Sequence, residues 1–217
     1  MAWPEPYRLA DKTLTLLNKS AVRLADNAKR RLLIDGFDEL NVIKQTDSLY
    51  ERLDANNRRR FKELFVARYL EVARELQKGI KLKELEDSVD ELAEMYIAGL
   101  LGEPNAVTKY VYDAEVLRKR DRAKEAILSV PTKAQKQLEI EKHVRYFQQM
   151  TGWYTDFASQ GAEIQALEDS GVEKVERHEH NDKKTCEVCL DADGEIYPID
   201  KIPEIPHLRC RRWFTPV

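Results

Sequence analysis

The residues with the clearest capacity for chemistry lie near the C-terminus. Cys186 and Cys189 form a Cys-x2-Cys pair, and after a 17-residue spacer His207 and Cys210 form a His-x2-Cys pair. All three cysteines of the chain, and one of its four histidines, fall in this one segment. Two close pairs separated by a hairpin-sized insert are what a tetrahedral ion requires. Each pair clamps one edge of the tetrahedron, and the spacer lets the chain return. Thiolate and imidazole donors at this spacing select Zn²⁺. Three cysteines and a histidine leave no open position, so the metal expected is structural and carries no reactive water. A lone cysteine would mean little, because cysteine is common in cores. An odd count of thiols also fits metal binding in a reducing setting better than a disulfide scaffold.

Other polar residues of the segment have humbler explanations. Asp191, Asp193, Glu195 and Asp200 are suited to shaping turns. His178 and His180 could replace a ligand. On an alternating strand they also face one side together, where a shared polar contact explains them equally well.

Catalytic readings fit less well. A zinc deaminase needs His-x-Glu well upstream of Pro-Cys-x-x-Cys, and His178-Glu179-His180 has neither the order nor the distance. A thioredoxin-like Cys-x-x-Cys opens a helix in a βαβ unit, whereas this pair is read as preceding a turn and a strand. A zinc-dependent nuclease is the principal alternative, with His178, His180, Asn181 and Asp182 offering the chemistry but standing before the cysteine pair. A DNA-binding zinc ribbon would need a steep salt dependence, against which the acidic balance argues. No phosphate-cradling glycine loop and no serine elbow is present. The carboxylates of helix faces carry no information about acid–base work when 35% of the chain is charged.

The elements that position these residues follow from periodicity and punctuation. The 217 residues carry 36 basic and 39 acidic side chains, a net charge of -3, with 42% hydrophobic residues. That is no global nucleic-acid signature. Basic runs at Lys29–Arg31, Arg58–Arg60, Arg118–Arg120 and Arg209–Arg212 sit among acidic neighbours and read as solvated faces. No apolar run is long enough for a bilayer, and the N-terminus lacks a signal-peptide core.

Residues 1–170 read as an α-helical region. Leu9, Leu16, Leu17, Leu24 and Ala28 mark a first helix that Gly36 closes. Phe61, Leu64, Phe65, Tyr69, Val72 and Leu76 mark a second, with a stop or kink at Gly79. Leu82, Leu85, Val89, Leu92 and Tyr96 follow a 3-4 spacing expected to pack on a neighbouring helix of the same chain. Pro104 is placed in the first turn of a helix carrying Val107, Tyr110, Val111, Ala114 and Leu117. Pro131 precedes a helix from Thr132 that carries Leu138, Val144, Phe147, Trp153 and Phe157 and ends near Ser170-Gly171.

Residues 171–217 change pattern. Val172–His180, Gly194–Asp200 and Cys210–Val217 read as strands, and Pro198, Pro203 and Pro206 exclude a helix around them. The fold class expected is mainly α: an elongated helical body with a small zinc-stapled α+β or β-rich C-terminal domain. A tail of this size needs a staple or a larger body to dock on.

Read as a string, Asp182, Thr185, Cys186, Cys189, Gly194, Tyr197, Pro206, His207, Cys210 and Arg211 give D-x2-T-C-x2-C-x4-G-x-x-Y followed by P-H-x-x-C-R. This resembles the C-terminal domain of the phage Mu protein F-like family of minor head, or head morphogenesis, proteins. The resemblance covers roughly the last 40 residues. Two positions depart from it: Leu208 stands where the family has proline, and Arg212 where it has a final cysteine. Four candidate ligands then remain, the number a closed tetrahedral site needs. What the resemblance implies is a structural virion protein and not an enzyme. It would be present in multiple copies near the portal or the capsid interior, contacting portal or major capsid proteins. Packaged DNA would be touched weakly through the basic clusters, and no membrane would be involved. The chain would sit in the host cytoplasm during assembly and in the phage head thereafter. It carries over Cys186, Cys189, His207 and Cys210 as the metal site, with Asp182 and Thr185 as turn residues beside it.

Overall fold

Small residues on one stripe let the first helix approach its neighbours closely. In the computed structural model, α1 (Arg8–Asp35) buries Ala10, Leu17, Ala21, Ala25, Ala28 and Leu32. The structure describes residues 7–76, 82–105, 107–180, 183, 185–204 and 210–217, without the side chains of 82–84. Gly36 ends α1 with φ 104°, a conformation that favours glycine, and its amide bonds to Leu32 O at 3.1 Å. Leu16 is exposed, because two successive leucines cannot both face the core and Leu17 takes that place.

The chain reverses into α2 (Glu39–Leu76), which buries Phe61, Leu64, Phe65, Tyr69 and Val72. Gly79 lies outside the described residues. Helix α3 (Leu82–Gly102) buries Val89, Ala93, Ile97 and Leu101, flanked by half-buried Leu85, Leu92 and Tyr96. Its apolar seam packs chiefly on α2, within the same chain.

Pro104 does not open the next helix. It pairs with Val111 in an isolated antiparallel bridge, and α4 begins only at Tyr112 (Tyr112–Ser129). The cause is Asn105. Its side-chain oxygen accepts from the amides of Val107 and Thr108, both at 3.0 Å, offering the backbone a turn in place of a helix. Lys109 turns the chain with φ 59°. The buried face of α4 is therefore Tyr112, Glu115, Val116, Ala123 and Ile127, while Tyr110, Ala114 and Leu117 are exposed.

Helix α5 (Lys133–Asp169) starts with a capping box: Thr132 Oγ1 accepts from the Gln135 amide, and the Gln135 side chain reaches back to Thr132. Val144, Phe147 and Phe157 are buried and Trp153 half-buried, whereas Leu138 points to solvent. At 37 residues, about 55 Å, α5 runs along α1, α2 and α4. Buried Asn57 of α2 donates to Tyr112 Oη at 3.0 Å and Thr151 Oγ1 at 2.9 Å, which fixes the register of α2, α4 and α5.

Beyond Gly171 the chain forms a three-stranded antiparallel sheet: β1 (Lys174–Glu179), β2 (Ile196–Pro198) and β3 (Arg212–Pro216), in the order β2-β1-β3. Among its described residues, the segment between the two ligand pairs makes no hairpin of its own. It supplies β2 and a single 3-10 turn at Ile199–Lys201, and the hairpin is β1 with β2. The fold is mainly helical with a small C-terminal sheet. Val175 and Phe214 of the sheet belong to the same apolar core as the helices. None of the described helices is long and apolar enough to cross a membrane.

Candidate metal centre

Alternation along β1 decides which side chains meet the cysteines. Val175, Arg177 and Glu179 point inward, and His178 and His180 lie on the other side. The inward row reaches the space beneath a short helix, α6 (Glu187–Asp191). Cys186 caps that helix, and its carbonyl accepts from the amides of Cys189 at 3.1 Å and Leu190 at 3.0 Å. The Cys-x-x-Cys thus does open a helix, contrary to the expectation of a turn. The sheet around it is wholly antiparallel, so the βαβ setting of a thioredoxin-like site is not formed.

Cys189 is buried and faces Cys210, which is buried just before β3; their sulfurs are 3.7 Å apart. Two sulfurs bound about 2.3 Å from one tetrahedral ion would lie about 3.8 Å apart, whereas a disulfide needs about 2.05 Å. The pair therefore has the spacing of a tetrahedral edge. Cys186 is half-buried and lies within hydrogen-bond reach of the Cys189 thiol. His207 lies outside the described residues, as does Asp182. Thr185 donates to the His180 carbonyl and closes the loop between β1 and α6.

Glu179 completes the described cluster. It is 5% exposed, and a carboxylate oxygen lies within 4.8 Å of both the Cys189 and the Cys210 sulfur. Nothing in its type or spacing singles it out in the sequence, although the same alternation that pairs His178 with His180 places Glu179 on the opposite, inward face. Arg177 holds the carboxylate at 2.8 Å through Nε and at 2.5 Å through Nη2. Arg177 Nη2 also points at Cys189 Sγ, 3.7 Å away. A tight turn supports β1 from behind: Asp193 accepts from the Glu179 amide at 2.8 Å, and Gly194 adopts φ 83° and donates to Arg177 O.

The electrostatics suit a cation. Burial first, then Cys210, Cys186 and Glu179, push the Cys189 thiol well up. Burial and Glu179 raise Cys210 in the same way, opposed by Arg212 and Arg177. Without a cation these thiols stay protonated; a divalent ion reverses that balance by stabilising thiolates directly. Glu179, Cys189 and Cys210 form a buried group that could hold a metal ion, which would link α6, the residues before β3 and the β1 face.

The upstream histidines are occupied otherwise. His178 shares a hydrogen bond of 2.7 Å with Thr215 and stacks on Trp213 at 5.4 Å. His180 packs edge-on against the same Trp213 at 5.5 Å and against Tyr7 at 5.3 Å. The two do share a neighbour, and it is an aromatic ring.

The site lies at the seam between sheet and helices. Gln160 of α5 donates to Cys210 O at 2.9 Å, and Tyr7 donates to Arg212 O at 2.6 Å. Glu163 of α5 accepts from the Phe214 amide at 3.3 Å while it is paired with buried Arg68 of α2 at 3.0 Å.

Compared with protein-family models, curated proteins and solved structures, the chain matches none of them.

Proposed function

We propose that this chain is a structural protein of a phage head, of the minor-capsid or head-morphogenesis kind, with a C-terminal tail held by one structural Zn²⁺. The observation that carries the metal is the buried Cys189–Cys210 pair at tetrahedral spacing, with Cys186 beside it. Cys186, Cys189, Cys210 and His207 would hold the ion, with Glu179 alongside. The ion supplies a cross-link and no reaction. The phage assignment rests on the resemblance of the tail string, from Thr185 to Arg211, to the Mu protein F-like proteins. In this reading several copies act near the portal or the capsid interior. The long helices present surfaces to portal or major capsid subunits, and the basic clusters touch packaged DNA only weakly.

Two measurements test the two halves. Purified, reduced protein is expected to hold about one equivalent of zinc; less than about half an equivalent removes the metal. Cryo-electron microscopy of procapsids and mature heads is expected to place the chain in at least one of them. Its absence from both removes the virion assignment.

A further inference from the structure

Arg212 places a buried charge two residues beyond Cys210. Arginine stays ionised in essentially any protein setting, and this one is 2% exposed. Its contacts are neutral. Nε donates to Gln160 Oε1 at 3.3 Å, Nη1 to Glu204 O at 3.4 Å, and the guanidinium lies over the Phe214 ring at 5.3 Å. Among the described residues it has no carboxylate partner, whereas Arg68 has Glu71 and Glu163 and Arg177 has Glu179. Glu163, the acid of α5 that accepts from the Phe214 amide, is paired with Arg68. A buried cation of this kind is strongly unfavourable unless an anion accompanies it.

Among the described residues, the fixed charges that act on the Cys189 and Cys210 thiols are Arg177, Arg212 and Glu179, which together leave one positive charge in excess. A divalent ion bound by three thiolates brings one negative charge and cancels that excess. The same ion bound by two thiolates brings none and leaves the cation uncompensated. A neutral histidine in the fourth position changes neither count.

We propose that Arg212 is the counter-cation of a three-thiolate metal centre formed by Cys186, Cys189 and Cys210. It is a positioning residue that makes the site favour the anionic complex. As the ion binds, three S–H bonds break, three metal–sulfur bonds form and three protons leave to solvent. Gln160 couples the two parts mechanically: its amide donates to the Cys210 carbonyl and its oxygen accepts from Arg212, so the guanidinium is tied to a ligand's own backbone. This inference rests on the metal reading above and adds to it the charge of the complex and the residue that sets it.

The test uses the full chain, reduced and metal-free, titrated with Zn²⁺ against a chromophoric chelator, with circular dichroism to confirm folding. Arg212→Gln is expected to weaken Zn²⁺ binding by about tenfold or more, and Arg212→Lys to retain most of the affinity. A folded Arg212→Gln protein that binds Zn²⁺ as tightly as the wild type overturns the role of Arg212. In parallel, Co²⁺ replaces Zn²⁺ and the sulfur-to-cobalt charge-transfer intensity counts the thiolates. The wild type is expected to show one thiolate more than Cys186→Ser. Equal intensities overturn the three-thiolate centre, whether or not Arg212→Gln folds. A wild-type chain that binds neither ion overturns the metal reading itself, and this inference with it.

Discussion

The helical body and the C-terminal tail are held together by opposite means. In the body, long helices bury continuous apolar stripes, and polar groups such as Asn57 with Tyr112 and Thr151, and Arg68 with Glu163, pair between helices. Phe61 lies against Tyr112 and Tyr154, and Phe65 against Tyr69 and Tyr96. Among the described residues of the tail, the fully buried apolar side chains are those of Val175 and Phe214, while Arg177, Glu179, Arg212, Cys189 and Cys210 are buried beside them. A body of the first kind is stable through area removed from water. A tail of the second kind is costly to bury without a cation to organise its thiols. The two regions are therefore expected to respond most strongly to different insults, and the seam between them to both.

The largest effect is expected from removing a ligand. Cys189→Ser should abolish stoichiometric zinc binding and release β1 to β3, a loss comparable with structural zinc affinities of about 10 kcal/mol or more. Hydrogen exchange should show protection lost over 172–217 and kept in α1, α2, α4 and α5. Loss of protection throughout α2 and α5 would show that body and tail are one cooperative unit and would break the comparison.

The next effect falls on the seam. Arg68 is fully buried and pairs with Glu71 at 2.9 Å and Glu163 at 3.0 Å. Arg68→Met leaves Glu163 charged and buried, and is expected to cost about 3–5 kcal/mol in urea unfolding. Because Glu163 also accepts from the Phe214 amide, the tail should loosen as well. The double variant Arg68→Met/Glu163→Gln should recover much of the loss; no recovery would mean that packing, and not charge, dominates at that position.

How much of this was legible in the sequence depends on the kind of signal. Helix ends marked by local chemistry were readable: Gly36 closes α1, and Thr132 opens α5 behind Pro131. The helix expected from Pro104 was misplaced, because the Asn105 side chain competes for the backbone amides and periodicity cannot see that competition. Leu138 and Leu117 matched the helical period and still face water, since the period fixes a face and the neighbouring helix decides which face is covered. The cysteines were legible as a group by spacing alone. Glu179 and Arg212 were not, because their importance depends on which strand face is buried and on what lies across the sheet. The histidines His178 and His180 drew attention by type, yet Trp213 accounts for their position.

A smaller effect probes the α3–α5 contact. A Cβ placed on Gly161 of α5 would sit 1.8 Å from the Tyr96 hydroxyl of α3, so only glycine lets that ring lie on the helix. Gly161→Ala is expected to destabilise by about 1–3 kcal/mol through overpacking, with zinc stoichiometry unchanged. Replacing Tyr96 with leucine in the same chain should restore part of the stability. A concurrent loss of zinc would show that the α3–α5 contact also supports the metal centre, which the separation of body and tail does not allow.

The smallest effect is expected from pH. His143, on the α4–α5 face of the body, is held below its usual pKa by burial, with Lys142, Lys119 and Arg122 adding to the effect and Glu139 opposing it. The unfolded chain therefore binds this proton first as pH falls. Its contribution to stability is complete above about pH 6.5 and declines below it, toward the lower pKa of the folded state. Urea midpoints of metal-free protein at pH 7.5 and pH 5 should differ less for His143→Gln than for the wild type. The metal-free chain is the right one to use, because acid also returns protons to the thiolates of a loaded centre and would add the tail's own response. An unchanged difference in His143→Gln would mean that the body's acid sensitivity has another source, with the buried carboxylate of Glu163 at the seam the next group to vary.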